Sequence, residues 1–190
     1  VDHAGGTLPA GVPHVLRNGQ SLELKGLSIR AIPTYERSLD SPDNFAYLFS
    51  FRGLSILHAG DCQALIKNVH TPKGRNLIQV TYPGIYDLLL MPIGFIDDII
   101  QPAIAFLELL HPRQAIPMHY WSPASKEAFL ALLETHDPSR AKRFAIKRSK
   151  SARLNLIRSR NDESRIMVLS LLPEPFVDFE ESIFKDKVNK

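Results

Sequence analysis

Two apolar runs in this chain end on residue types that can ligate metals. "GLSILHAGDC", Gly53 to Cys62, stops on His58, Gly60 and Asp61, and "QAIPMHYW", Gln114 to Trp121, arrives at His119. An Asp and a His together suit a hard-to-borderline divalent ion such as zinc, manganese or iron. Both residue types also have ordinary structural uses. An Asp after Gly makes a turn or caps a helix, and a His closing an apolar strand is commonly packed and hydrogen-bonded. No turn pair such as Asn-Gly follows Asp61 to close a hairpin, so cap and ligand both stay open.

The two ends can meet only if their strands are neighbours, because sites in α/β architectures collect where strands end and loops begin. The opening "VDHAGGTLPAGVPH" holds too many Gly and Pro for regular structure. From Val15 to Ile32, turns at Asn18-Gly19 and Lys25-Gly26 separate short alternating segments, which predicts consecutive antiparallel strands. "FAYLFSFRGLSILHAGD" predicts two more, joined at Arg52-Gly53, so a β-meander ends at Asp61. The period then changes. "CQALIKNVHTPKGRNLIQVTYP" predicts a weak helix or loop ending near Pro72 and Gly74, and "YDLLLMPIG" a strand buried on both faces. Asp97-Asp98 stand ahead of a helix with Pro102 in its first turn, where they complement its dipole. Ser122-Pro123 opens another helix as N-cap and first-turn proline. "RFAIKRS", "ARLNLIRS" and "RIMVLSL" read as final strands.

Composition bounds the rest. With 190 residues, 44% hydrophobic and 23% charged, the chain is an ordinary globular sequence with room for one core. We expect a single domain over 1–190: a meander at 15–61, a βαβα half and final strands at 62–175, and a charged tail at 176–190. No apolar run is long enough to cross a bilayer, so no membrane association is expected. Val1 stands where a Met would, which suggests processing or excision from a longer sequence. The single cysteine, Cys62, excludes an intrachain disulfide and a thiolate zinc cluster. It suits a reducing compartment, and a cytoplasmic location is expected. Asp61 beside Cys62 should raise the thiol pKa, which argues against a nucleophilic thiolate. No Gly-x-Ser-x-Gly elbow, P-loop or dinucleotide fingerprint is present. His14, His70, His111 and His136 receive no role. Ten Lys and Arg lie between Arg140 and Arg165 against Asp162 and Glu163, a stretch suited to an anionic partner or to a solvated surface.

Taken in order, "GLSILHAGDC", "YDLLLMPIGFIDD" and "AIAFLELLHPRQAIPMHYW" resemble the C-terminal half of the metallo-β-lactamase fold, closest to the UlaG-like branch of metal-dependent hydrolases. "LSIRAIPTYE" resembles the family's strand leading to its middle histidine, and the likeness covers most of Gln20 to Ser125. It implies an α/β fold, an αββα sandwich with mixed sheets. It also implies that Asp61 bridges up to two divalent ions, zinc or manganese, and that His119 is a late histidine ligand. Metal-bound hydroxide would then attack an ester, lactone or phosphodiester. Tyr120 and Trp121, beside His119, would line the substrate pocket.

The chain departs from the pattern in two places. The family's first motif, His-x-His-x-Asp-His, is incomplete; "VDHAGG" would hold its last pair, with Asp2 catalytic and His3 a metal ligand. The middle histidine is expected after "AIP", where Thr34, Tyr35 and Glu36 stand; His58 is the nearest one that follows. Three functions therefore compete. The first is a metal-dependent hydrolase of a small anionic or phosphorylated substrate. The second is a catalytically degenerate relative that binds or scaffolds and holds no metal in this chain. The third is a nucleic-acid-binding or nuclease-type member.

Overall fold

A computed structural model describes residue 16 and residues 19–93, 100–120, 122–135, 144–148 and 166–170. Turn chemistry organises its first half. Strands β1 (Ser21–Leu24) and β2 (Leu27–Thr34) meet at Lys25-Gly26, and β3 (Asn44–Phe51) and β4 (Leu54–His58) at Arg52-Gly53. Both turn residues have positive φ, 48° and 84° in the first pair and 49° and 78° in the second. Two-residue turns of this hand match the twist of the strands they join. Glycine adopts the second position freely, whereas Lys25 and Arg52 each bear about 1 kcal/mol of backbone strain. Leu24 lies opposite Leu27 and Phe51 opposite Leu54, so each hairpin closes immediately.

The second half alternates helix and strand: α1 (Gln63–Lys67), α2 (Pro72–Thr81), β5 (Leu88–Pro92), α3 (Ile100–Leu110), β6 (Gln114–Met118), α4 (Pro123–Thr135), β7 (Phe144–Arg148) and β8 (Ile166–Ser170). One local expectation is corrected. Pro72 does not end a helix but opens α2, where its missing N–H is not needed, and the Thr71 hydroxyl accepts the Gly74 N–H at 3.1 Å. At α4 the expected cap is present, with Ser122 Oγ accepting the Ser125 N–H at 3.2 Å. The opening segment, Asp97-Asp98 and the strand read in "ARLNLIRS" lie outside the described residues.

The described strands join into one mixed sheet of order β1-β2-β3-β4-β5-β6-β8-β7. The meander is antiparallel up to β4, and every later pairing is parallel. One cross-strand row, Leu57, Leu89, Ala115 and Val168, is wholly buried. It shares a core with Leu65 and Ile66 of α1, Ile104, Phe106 and Leu107 of α3, and Phe129 and Leu130 of α4. Each of these larger side chains contributes about 1.5–3 kcal/mol through burial. The next row, Tyr47, His58, Leu90 and Ile116, points to the opposite face and is only half-buried. No helix among the described residues is long and apolar enough to cross a membrane.

A clamp sets the register where β4, β5 and β6 begin. Asp87 Oδ2 accepts from the Ser55 N–H at 2.8 Å and the Ser55 hydroxyl at 3.2 Å, and Oδ1 accepts from Arg113 at 2.6 Å. Burial pushes the Asp87 carboxyl up, but the Ser55 backbone bond and the Arg113 guanidinium outweigh it and hold the group below the usual carboxylate range. Three parallel strands thus start level, and their C-terminal ends open at the same edge of the sheet.

Candidate metal centre

Asp61 is placed by a turn that only glycine can make. After His58 the backbone stays paired for one residue, with the Ala59 N–H donating to the Leu90 carbonyl at 2.9 Å. Gly60 then turns at φ +68°, and a Cβ there would run into the carbonyl of Phe45 on β3. The turn carries Asp61 over the end of the sheet. It also brings the Gly60 N–H to His58 Nδ1 at 3.1 Å.

The Asp61 carboxylate is not a helix cap. The N-cap position of α1 is Cys62, without a side-chain cap bond, and the Ala64 N–H donates instead to the carbonyls of Tyr35 and Glu36. Gln63 Nε2 reaches Asp61 Oδ2 at a long 3.4 Å. Oδ1 is buried with no hydrogen-bond partner among the described residues. Leaving such an oxygen unsatisfied costs about 1–3 kcal/mol, more when it is charged. A buried, unpartnered acceptor of this kind is a place for an ion or an ordered water.

His119 supplies the second donor. It follows β6 by one residue, as Asp61 follows β4 by three, and its backbone is left-handed at φ +56°. A histidine held there stores about 1–2 kcal/mol of strain, a cost that collects at functional sites. Its Nε2 lies 3.8 Å from Asp61 Oδ2. That is too long for a hydrogen bond. Two donors on one zinc, each about 2.0–2.1 Å from it, stand roughly 3–4 Å apart. Asp61 and His119 therefore fit as two ligands of one divalent ion. Among the described residues, no group of three or more His, Cys, Asp or Glu side chains could hold a metal. Asp2, His3 and Trp121 lie outside the described residues.

At the place of the expected middle histidine, the chain builds a carboxylate-amide bridge. Glu36 Oε2 accepts from Asn44 Nδ2 at 3.0 Å, and the same amide donates to the Asp61 carbonyl at 3.3 Å. Asp43 closes the intervening loop by accepting the backbone N–H groups of Glu36 and Arg37 at 2.7 and 3.2 Å. Deeper still, Tyr82 donates its hydroxyl to the Ala59 carbonyl at 3.1 Å and lies 2.6 Å from Thr34 Oγ1. With the phenol proton used on Ala59, Thr34 is the donor of the second bond. Sequence reading missed Asn44 and Tyr82. The polar Asp43-Asn44 pair entering an apolar strand was the only local signal.

Electrostatics separates the remaining candidates. Burial pushes the Cys62 thiol up to about 12, with Asp61 adding to the shift, so no thiolate forms near neutral pH. Burial lowers the pKa of His58, and nearby His119 adds to the lowering, which keeps its imidazole neutral. Tyr120 is half-buried against the core, with Lys126 Nζ 5.9 Å from its ring centroid. In the basic stretch, Arg148 is bound by Glu127 and Glu134 at 3.2 and 3.0 Å.

The chain is 32% identical over 133 residues to a UPF0173 metal-dependent hydrolase of Thermococcus onnurineus, covering 65% of this chain and 55% of the relative. It is 32% identical over 125 residues to the Pyrococcus abyssi counterpart, covering 62% and 52%. It thus spans about half the length of the curated relatives it matches. The fold is similar to that of a Thermotoga maritima protein of the metallo-beta-lactamase superfamily, with TM-score 0.55 and 20% identity over 84% of this chain and 73% of that one. The sequence model of the Beta-lactamase superfamily domain matches residues 1–119, well over half of the chain, and the chain belongs to that superfamily.

Proposed function

We propose that the Asp61–His119 edge is part of the active site of a metal-dependent hydrolase acting on an ester, lactone or phosphodiester. The buried, unpartnered Asp61 Oδ1 is the observation that carries this reading. Asp61 and His119 would hold a divalent cation, zinc or manganese, and the resemblance adds His3 as a further ligand and Asp2 as a catalytic carboxylate. When bound, the ion supplies the Lewis acidity that makes a water nucleophilic near neutral pH. The chain's own residues position the donors. Gly60 sets the turn, Asn44 holds the Asp61 main chain, and Tyr82 ties the end of β4 to the end of β2.

The test is metal analysis of the purified chain beside Asp61→Ala and His119→Ala. Wild type should retain zinc or manganese and both variants should lose most of it; equal, trace metal in all three would overturn the reading. A second reading, a relative that binds without hydrolysing, is favoured by Glu36 standing where a histidine is expected. Stoichiometric metal with no turnover of ester, lactone or phosphodiester substrates would select it. A nucleic-acid role ranks below both, because the basic residues between Arg140 and Arg165 alternate with apolar ones as an exposed strand face does, and Arg148 pairs with two glutamates. A small anionic substrate accords better with a site at the strand ends.

A further inference from the structure

We propose that His58 is not a metal ligand but a fixed hydrogen-bond donor, presenting its Nε2–H to an anionic oxygen of a ligand bound at the Asp61–His119 edge. The assignment follows from where the ring's lone pair is spent. A neutral imidazole has one protonated and one bare nitrogen. In His58 the bare nitrogen is Nδ1, because it accepts the Gly60 N–H at 3.1 Å. The proton must then sit on Nε2. Nε2 therefore has no lone pair to give a cation, although His58 lies only three residues before Asp61 in the chain. The nearest histidine after Glu36 is thus not a displaced substitute for the missing middle ligand.

The ring's placement gives the proton a use. His58 stands in the half-buried row with Tyr47, Leu90 and Ile116, on the face away from the core shared with the described helices. Its side chain is close enough to His119 for the two to interact electrostatically. Among the described residues, the His58 ring bonds to no group of another residue besides the Gly60 N–H. The backbone bond from Gly60 fixes the ring, so a ligand would meet a preorganised donor. Hydrolysis of an ester, lactone or phosphodiester places growing negative charge on an oxygen, and donors aimed at that charge are worth most when they need not reorganise. The role as a substrate donor rests on the hydrolase reading; the donor state of His58 does not.

Three measurements separate the two claims. In uniformly 15N-labelled protein, long-range imidazole correlations should show His58 protonated at Nε2 before and after zinc is added. Loss of that proton on zinc addition would overturn the proposal. Zinc stoichiometry should be the same in His58→Phe as in wild type; a loss matching that of Asp61→Ala would make His58 a ligand and overturn it. Inorganic phosphate, used as the anionic probe, should shift the His58 Nε2–H resonance. Its affinity should fall about 10-fold to 100-fold in His58→Phe, the range expected for a hydrogen bond to a charged group. His58→Gln, whose amide N–H can occupy the Nε2 position, should recover much of it. Phosphate affinity unchanged in His58→Phe, or a wild-type resonance that ignores phosphate, would overturn the proposal. If wild type binds phosphate through His58 but hydrolyses nothing, the hydrolase reading fails and the donor assignment stands.

Discussion

Asp61 Oδ2 and His119 Nε2 stand 3.8 Å apart although their strands never touch, because β5 lies between β4 and β6. The pairing arises from parallel register. His58, Leu90 and Ile116 lie level across the three strands, and each donor sits three residues beyond its own member of that row. Both chain paths then bend through left-handed backbone, at Gly60 and at His119 itself.

Metal should affect stability in opposite directions at Asp61. Without metal, Asp61→Asn removes the negative charge from a group with an unpartnered buried oxygen, and the apo protein should gain about 1 kcal/mol. With zinc at a hundred times Kd, wild type should gain about 2.7 kcal/mol and the variant almost none. Thermal melts with chelator and with zinc read both effects. A variant less stable than wild type under chelator would show that Oδ1 is satisfied in the apo protein.

Gly60→Ala should be much more costly than Gly26→Ala. Both glycines have positive φ, so each alanine incurs about 1–2 kcal/mol of backbone strain. At Gly26 the new methyl meets open space, whereas at Gly60 it meets the Phe45 carbonyl. Denaturant unfolding should show Gly60→Ala losing about 3 kcal/mol or more. Zinc binding should fall with it, since the turn carries Asp61. Equal losses in the two variants would remove the steric argument.

The fold was legible where the signal is local. Lys25-Gly26 and Arg52-Gly53 announce hairpins because the turn type demands those residues, and "YDLLLMPIG" announces a strand buried on both faces by its unbroken apolar run. Thr71-Pro72 is equally local but ambiguous, since a proline at the first helical position looks the same in sequence as one beyond a helix end. Asp61 reads in sequence as either a cap or a candidate donor, and Cys62 standing at the N-cap of α1 sets the cap aside. Asn44 and Tyr82 could not be found this way. Tyr82 acts on Thr34, 48 residues away, and no periodicity encodes a partner at that distance.

Acid stability should depend on Asp87. Its folded pKa is depressed, so its contribution is complete above the unfolded value, about 3.9, and is lost as pH falls through the lower folded value. Asp87→Asn should therefore flatten the fall in stability as pH drops below about 4. At neutral pH the variant should lose about 2–4 kcal/mol, the cost of leaving Arg113 without its close partner at a partly shielded site. Urea unfolding at a series of pH values measures both, and an unchanged acid limb would show that the Asp87 carboxyl titrates alike in the folded and unfolded states.

Tyr82→Phe tests whether the buried hydroxyl network holds the site in place or merely fills the core. The change removes one oxygen and leaves the Ala59 carbonyl and the Thr34 hydroxyl without their buried partner. The loss of two hydrogen bonds should cost about 2–3 kcal/mol. Ala59 immediately precedes the Gly60 turn, so a loosened carbonyl there should also widen the Asp61–His119 separation. Zinc affinity should then fall further than global stability alone explains. Thr34→Val removes the hydroxyl but leaves Tyr82 bonded to Ala59, and it should lower stability while sparing zinc affinity. If the two variants weaken zinc binding equally, Tyr82 acts through general packing and not through its bond to the strand end. Reactivity of Cys62 gives an independent reading of the same network. With its thiol buried and pushed up to about 12, native wild type should resist a disulfide reagent at pH 8, and Tyr82→Phe should label faster in proportion to its lower stability.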